Sequence, residues 1–227
     1  PSVAALTYSH KYTLRSMPQI SDKTYDLAIS FLTPHYFARE RVKAKKYAAW
    51  IHTDYTALSF DRDTELAMWG KYDAICSVSE QASKSFQTAF PELAGKVQTI
   101  ENVLPRELIC RQAEESQTDM PSDGSIVLLS VGRFCDAKNF DNVPDICRHI
   151  VADDLDVKWY LIGYGGDELL IRQKIAEAGM EKRVIILGKK ENPYPYMRTC
   201  NLYVQPSRYE GKAVTVREAQ LLGKPVV

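Results

Sequence analysis

What narrows the choice of fold most is rhythm: short apolar runs of strand length alternate with stretches of helical period along nearly the whole chain. Runs at 25–31, 47–51, 74–78 and 97–101 read as strands, with helices expected at 34–46, 64–70 and 80–90. Pro34 suits a first helical turn and Ser79 is placed to cap the helix it precedes. A second series has strands at 126–131, 157–162, 184–187 and 202–205, and helices at 142–151, 168–178, 194–200 and 213–222. Residues 3–17 are compatible with a helix but lack a clean period. Alternation of this kind implies parallel pairing through right-handed crossovers, hence an α/β sheet covered on both faces.

The period lapses from 105 to 125, and 112–125 (QAEESQTDMPSDGS) has the composition of a linker. The expected division is therefore a first α/β domain over 1–111, a linker over 112–125 and a second α/β domain over 126–227. Two such units leave a cleft, and ligands of these sheets bind outside the carboxyl ends of the strands.

Lys plus Arg and Asp plus Glu both number 29, which argues against a nucleic-acid binder held by a general basic field. The five cysteines have no C-x-x-C spacing and read as reduced thiols, as in a cytoplasmic protein. No run approaches a membrane span. The chain begins with Pro1 and stops at Val227 in an apolar run, so it reads as a piece of a longer protein.

Chemistry concentrates after two strands of the second series. The loop 131–139 (VGRFCDAKN) offers Arg133 and Lys138 ahead of a helix, where free N–H groups favour anions. The stretch 206–227 (PSRYEGKAVTVREAQLLGKPVV) places Glu210 at a strand-to-helix turn and Glu218 on the helix, which Gly223 and Pro225 terminate. Eight helical residues would set the two carboxylates roughly 12 Å apart.

The E-x7-E spacing inside PS-x-x-EG and EA-x-x-x-G-x-PV resembles the donor-binding signature of the family-four retaining glycosyltransferases of GT-B fold, the glycosyl transferases group 1. The G-R-x-x-x-x-K loop, the glycine turn 161–166 (LIGYGG), the strand at 184–188 and the approach 201–207 (NLYVQPS) are similar to the family in the same order. The resemblance implies two Rossmann-like parallel-sheet domains facing a cleft, both incomplete here. It also implies transfer of a sugar from a nucleoside-diphosphate sugar to a hydroxyl acceptor, with retention and with no cofactor or metal. On that basis Arg133, Lys138, Gly211 and Lys212 hold the donor diphosphate, Glu210 orients the donor sugar, and Glu218 holds the ribose. His52, just past the second strand, is the family's histidine near the reaction centre; as a lone histidine it also reads as an ordinary structural residue.

The chain departs from the family at Glu210-Gly211-Lys212-Ala213, where many members have Glu-Gly-Phe-Gly. This form is similar to the capsular and exopolysaccharide branch, whose acceptors are growing or lipid-linked surface polysaccharides. The missing second glycine and ends leave open whether the piece is active alone, and two alternatives stand beside transfer: a non-catalytic partner subunit and an epimerase or phosphorylase of GT-B type. Arg39, Arg41, Lys43, Lys45 and Lys46 form a local basic run with two readings, a solvated helix face or a dock for anionic lipid at the inner membrane face, anchored by Tyr36 and Phe37.

Overall fold

A computed structural model describes residues 12–32, 35–115, 118–120, 123–210 and 212–227. The chain divides into two compact units, Pro1–Asn102 and Val103–Val227. The residues expected to form the helix at 3–17 are helical over 12–16 and Met17 is already outside the helix, while 3–11, with Pro34, lie outside the described residues.

The first unit is a parallel sheet of β1 (Thr24–Ser30), β2 (Lys43–Ile51), β3 (Ala74–Ser77) and β4 (Val97–Thr99), paired in chain order. The α-helices between and after its strands include α1 (Tyr36–Arg41), α2 (Arg62–Trp69) and α3 (Glu80–Ala89). The Ser79 side chain caps α3 by accepting from Ala82 N–H, as its position in the sequence requires. One face of the sheet carries Ala28, Tyr47, Ala49, Ile51 and Ile75 into an aromatic core. There Tyr55 meets Phe86 edge-to-face at 5.0 Å, and the indole N–H of Trp69 donates to Tyr55 Oη at 2.9 Å. On the other face of β1, Tyr25, Leu27 and Ile29 are 42%, 50% and 52% exposed.

The helix expected over 34–46 is shorter than its charge pattern suggested. It ends at Arg41, and Val42 is already extended (φ −126°, ψ 132°), because the Tyr47 hydroxyl donates to Val42 O at 2.8 Å and accepts from Ala44 N–H at 2.9 Å. The basic run therefore straddles a helix and a strand. Lys45 pairs with Asp26 at 2.7 Å and Lys46 with Asp73 at 3.0 Å, while Arg39 stacks on the Tyr47 ring at 4.4 Å. Tyr36 is buried, so it is part of the core rather than a surface anchor.

The second unit opens with a helix the sequence did not show, α4 (Arg106–Gln112), which buries Ile109 and accepts at Gln112 O from the Asn192 amide at 2.7 Å. Its parallel sheet has the order β7-β6-β5-β8, from β5 (Ile126–Val131), β6 (Val157–Ile162), β7 (Val184–Gly188) and β8 (Leu202–Tyr203). Val226 adds a parallel bridge beside Tyr203. The crossovers are α5 (Val143–Ala152), α6 (Glu168–Ala178), α7 (Tyr194–Thr199) and α8 (Val214–Leu221). Successive residues enter opposite cores: Leu128, Trp159 and Leu161 on one face, Leu129, Tyr160 and Ile162 on the other. This is the two-faced burial expected of a parallel sheet.

The strand order matters for function. From β5 the chain steps outward to β6 and β7, then returns to lay β8 on the opposite side of β5. The loops leaving β5 and β8 therefore diverge at a switch point, the place where open α/β sheets receive ligands.

Candidate active site

The loop leaving β5 is held from below. Phe134 and Phe140 are fully buried and meet edge-to-face at 5.6 Å, so the residues between them have anchors at both ends. Phe134 N–H donates to Tyr164 O at 2.9 Å, joining this loop to the glycine turn after β6. That turn needs its glycine: a Cβ at Gly165 would lie 2.1 Å from Phe134 O. Lys138 then runs back over Gly132, where an added Cβ would touch the lysine's Cδ and Cε at 3.4 Å.

From the other side of the switch point, the loop leaving β8 brings Glu210 to Lys138. Lys138 Nζ and Glu210 Oε1 form an ion pair, each side chain largely buried (20% and 26% exposed). The same carboxylate oxygen accepts from Ser207 Oγ at 2.7 Å and Gln205 Nε2 at 3.1 Å. The Gln205 amide is fixed in turn, because its Oε1 accepts from the Tyr203 hydroxyl at 2.8 Å and from Thr215 Oγ1 at 3.1 Å. Tyr203 is buried, and its hydroxyl is held well above the usual range by burial first, with Glu218 and Glu210 both adding to the effect.

Glu218, on α8, accepts from the Tyr194 hydroxyl at 3.0 Å. Burial raises its carboxyl above the ordinary value, and the Tyr194 hydrogen bond opposes this. Arg133 is exposed and lines a cavity of about 210 Å³ at the ends of β5 to β7, with Tyr164, Lys189 and Lys190. Lys212 is half-buried, and Gly211 lies outside the described residues.

His52 belongs to the first unit. Its Nε2 is 2.7 Å from Phe31 O, and its ring meets Phe31 edge-on at 4.6 Å. A carbonyl only accepts, so Nε2 is the donor in this hydrogen bond. The ring lines a cavity of about 130 Å³ with Trp50, Tyr55, Trp69 and His35. His52 with Asp54, Asp61 and Asp63 forms no cluster: among the described residues, no group of three His, Cys, Asp or Glu side chains is placed to hold a metal ion. Asp54 and Asp61 instead cap short helical segments, accepting from Thr56 N–H and Thr64 N–H.

Lys138, Glu210 and Glu218 were legible as motif residues, and the structure joins the first two directly. Gln205, Ser207, Thr215 and Tyr194 were not assigned a role from sequence. Gln205 and Ser207 sit inside the approach to Glu210, but their function depends on a turn that folds them back onto it; Tyr194 lies 24 residues from its partner.

Lys138 and Glu210 thus meet at the switch point of a parallel α/β unit, where ligands of open sheets bind. The family model for glycosyl transferases group 1 matches residues 112–227, and the chain belongs to that family. An uncharacterized glycosyltransferase of Methanocaldococcus jannaschii is 25% identical over 162 residues, 69% of this chain and 40% of that protein. A poly(ribitol-phosphate) alpha-N-acetylglucosaminyltransferase of Staphylococcus aureus is 27% identical over 97 residues, 43% of this chain and 20% of its own length. The chain thus spans well under half of these curated relatives.

Among solved structures, Anabaena Alr3699/HepE with UDP and glucose superposes with a TM-score of 0.70 at 18% identity, over 99% of this chain and 62% of that one. The pneumococcal O-GlcNAc transferase GtfA, solved with UDP and GlcNAc, gives 0.67 at 18%, over 99% and 44%. These likenesses establish the GT-B glycosyltransferase fold. Among the described residues, no helix is long and apolar enough to cross a membrane.

Proposed function

We propose that the chain carries the donor-binding half and part of the acceptor half of a retaining glycosyltransferase, which moves a hexose from a UDP-sugar to a hydroxyl of a bacterial surface polysaccharide or its lipid-linked precursor. The observation that carries this reading is the Lys138–Glu210 pair at the switch point of the second sheet. Breaking the bond between the anomeric carbon and the diphosphate leaves negative charge on the β-phosphate and positive character on the sugar. Lys138 and Arg133 answer the first charge, and the family resemblance assigns Lys212 and Gly211 to the same diphosphate; removing one such preorganised donor typically costs on the order of a hundredfold in turnover. Glu210 has a second oxygen that accepts none of these three hydrogen bonds, and it receives the sugar's hydroxyls. Glu218 accepts from the ribose, and the Nδ1 of His52 accepts from a sugar or acceptor hydroxyl.

UDP is favoured over other nucleotides because HepE and GtfA were both solved with it. A polysaccharide acceptor is favoured by the likeness to a Vi polysaccharide biosynthesis protein of Salmonella typhi, 24% identical over 110 residues. The test is a thermal-shift screen of the full-length protein against UDP, GDP, ADP and their sugars, followed by an assay of nucleotide release. Stabilisation by UDP and acceptor-dependent release of it are the expected results. Release of a free sugar nucleotide isomer, or no stabilisation by any nucleotide, would refute transfer.

A further inference from the structure

We propose that Arg208 is the positioning residue that holds the two switch-point loops in register, so that Lys138 and Glu210 meet. Arg208 lies on the loop leaving β8, two residues before Glu210, yet every contact described for it reaches the loop leaving β5. Its backbone N–H donates to Ala137 O at 2.9 Å, adjacent to Lys138. Its guanidinium grips Asp141 with both ends, Nη1 to Oδ1 at 3.2 Å and Nη2 to Oδ2 at 3.0 Å, and Nη1 also donates to Asp136 O. The Asp136 carboxylate lies 3.3 Å from the same nitrogen. One planar fork therefore spans both flanks of Lys138, residues 136 and 141, which a lysine's point charge cannot do.

Asp141 is the better buried of the two acids, and the Arg208 guanidinium holds its carboxyl below the ordinary range. A second stitch runs the opposite way. The Asn139 amide donates to Pro206 O at 2.9 Å, with Asn139 itself in the left-handed region (φ 58°). With Phe134 and Phe140 fixing the β5 loop from inside, Arg208 fixes the β8 loop to it from outside. Releasing Arg208 leaves the Asn139–Pro206 bond and the Lys138–Glu210 pair alone to join the two loops, while Ser207 and Gln205 hold Glu210 to its own loop.

The catalytic consequence rests on the function proposed above; the register itself does not, and the experiment separates them. Trace acetylation of the full-length protein with acetic anhydride, read by mass spectrometry, reports the reactivity of the Lys138 amine relative to exposed Lys182. In Arg208→Ala, Lys138 labels about fivefold faster than in wild type, as an amine released from a partly buried ion pair. Asp141→Asn gives a smaller rise in a protein that melts as wild type does, and Arg208→Lys restores only part of the protection. Wild-type labelling of Lys138 in folded Arg208→Ala overturns the proposal. Should that variant not fold, wild-type labelling in Asp141→Asn overturns it equally. In turnover assays, Arg208→Ala lowers kcat/KM on the order of a hundredfold, mostly through kcat, because a displaced Lys138 no longer meets the developing charge. Failure of UDP to stabilise the wild-type protein would refute the functional reading while leaving the labelling result to stand on its own.

Discussion

The two units share a plan of four parallel strands but close it differently. In the second unit, strands β5 and β6 send alternate residues into two separate cores, one on each face. In the first unit one face packs into an aromatic cluster, while the other leaves Tyr25, Leu27 and Ile29 of the outer strand about half exposed. Their loops differ accordingly. The β5 loop carries Lys138 between two fully buried phenylalanines, whereas His52 leans on Phe31, itself 51% exposed. The second unit's own core thus fixes the loop that carries Lys138, whereas the side chain on which His52 leans is half in water.

The sharpest way to probe this contrast is to empty the first unit's aromatic cluster. Phe86 is fully buried against Tyr55, Trp69 and Phe90. Phe86→Ala is expected to destabilise that unit by about 4 kcal/mol, seen as faster amide exchange in β2 and β3 with β5 and β6 unchanged. Equal loss in both units would show that they do not respond separately.

His35 in the first unit and Glu218 in the second respond to acid with opposite sign. Burial, with a smaller push from His52, lowers the pKa of His35 from 6.5 to about 4. Between those values the unfolded chain binds a proton that the folded unit refuses, so stability falls as pH drops through this window, by up to about 3 kcal/mol. Glu218 is the reverse case: its raised pKa means that the folded second unit loses stability as pH rises through it. Exchange measured at pH 7 and pH 4.5 should show selective acid weakening of β1 to β3; uniform weakening contradicts the His35 account.

Removing the Glu218 charge separates stability from binding. Glu218→Gln keeps an oxygen for the Tyr194 hydroxyl while relieving the buried charge, so the melting temperature at pH 8 should hold or rise. UDP affinity should fall about tenfold, the loss of a charge-assisted hydrogen bond. Unchanged affinity in calorimetry would exclude the ribose contact. The smallest effect belongs to the open face: Leu27→Ser should alter stability by no more than about 0.5 kcal/mol, since the side chain is already half in water. A larger loss in the full-length protein would show that the face is covered there.

Much of this architecture was legible from residues alone. The sequence pattern located β5, β6 and α6 to the residue, since continuous apolar runs and Gly179 as a left-handed stop are local signals. It overran α1 because the charged run 39–46 continues a helical pattern that the Tyr47 hydroxyl, a tertiary contact, interrupts. It missed α4, where only Leu108, Ile109 and Cys110 are apolar and Pro105 precedes the first turn without a capping side chain. In the site, Lys138 and Glu210 were visible as motif positions 72 residues apart. The groups that fix them, Gln205, Ser207 and Arg208, were not, because a hydrogen-bond network exists only once two loops have met.

The central claim is that Lys138 waits beside Glu210 for a diphosphate. Titration of UDP into the full-length protein and into Lys138→Ala tests it most directly. Saturable binding by wild type is expected, with affinity lower by about a hundredfold in the variant and nearly equal melting temperatures without ligand. UDP binding of equal strength in both proteins would contradict it.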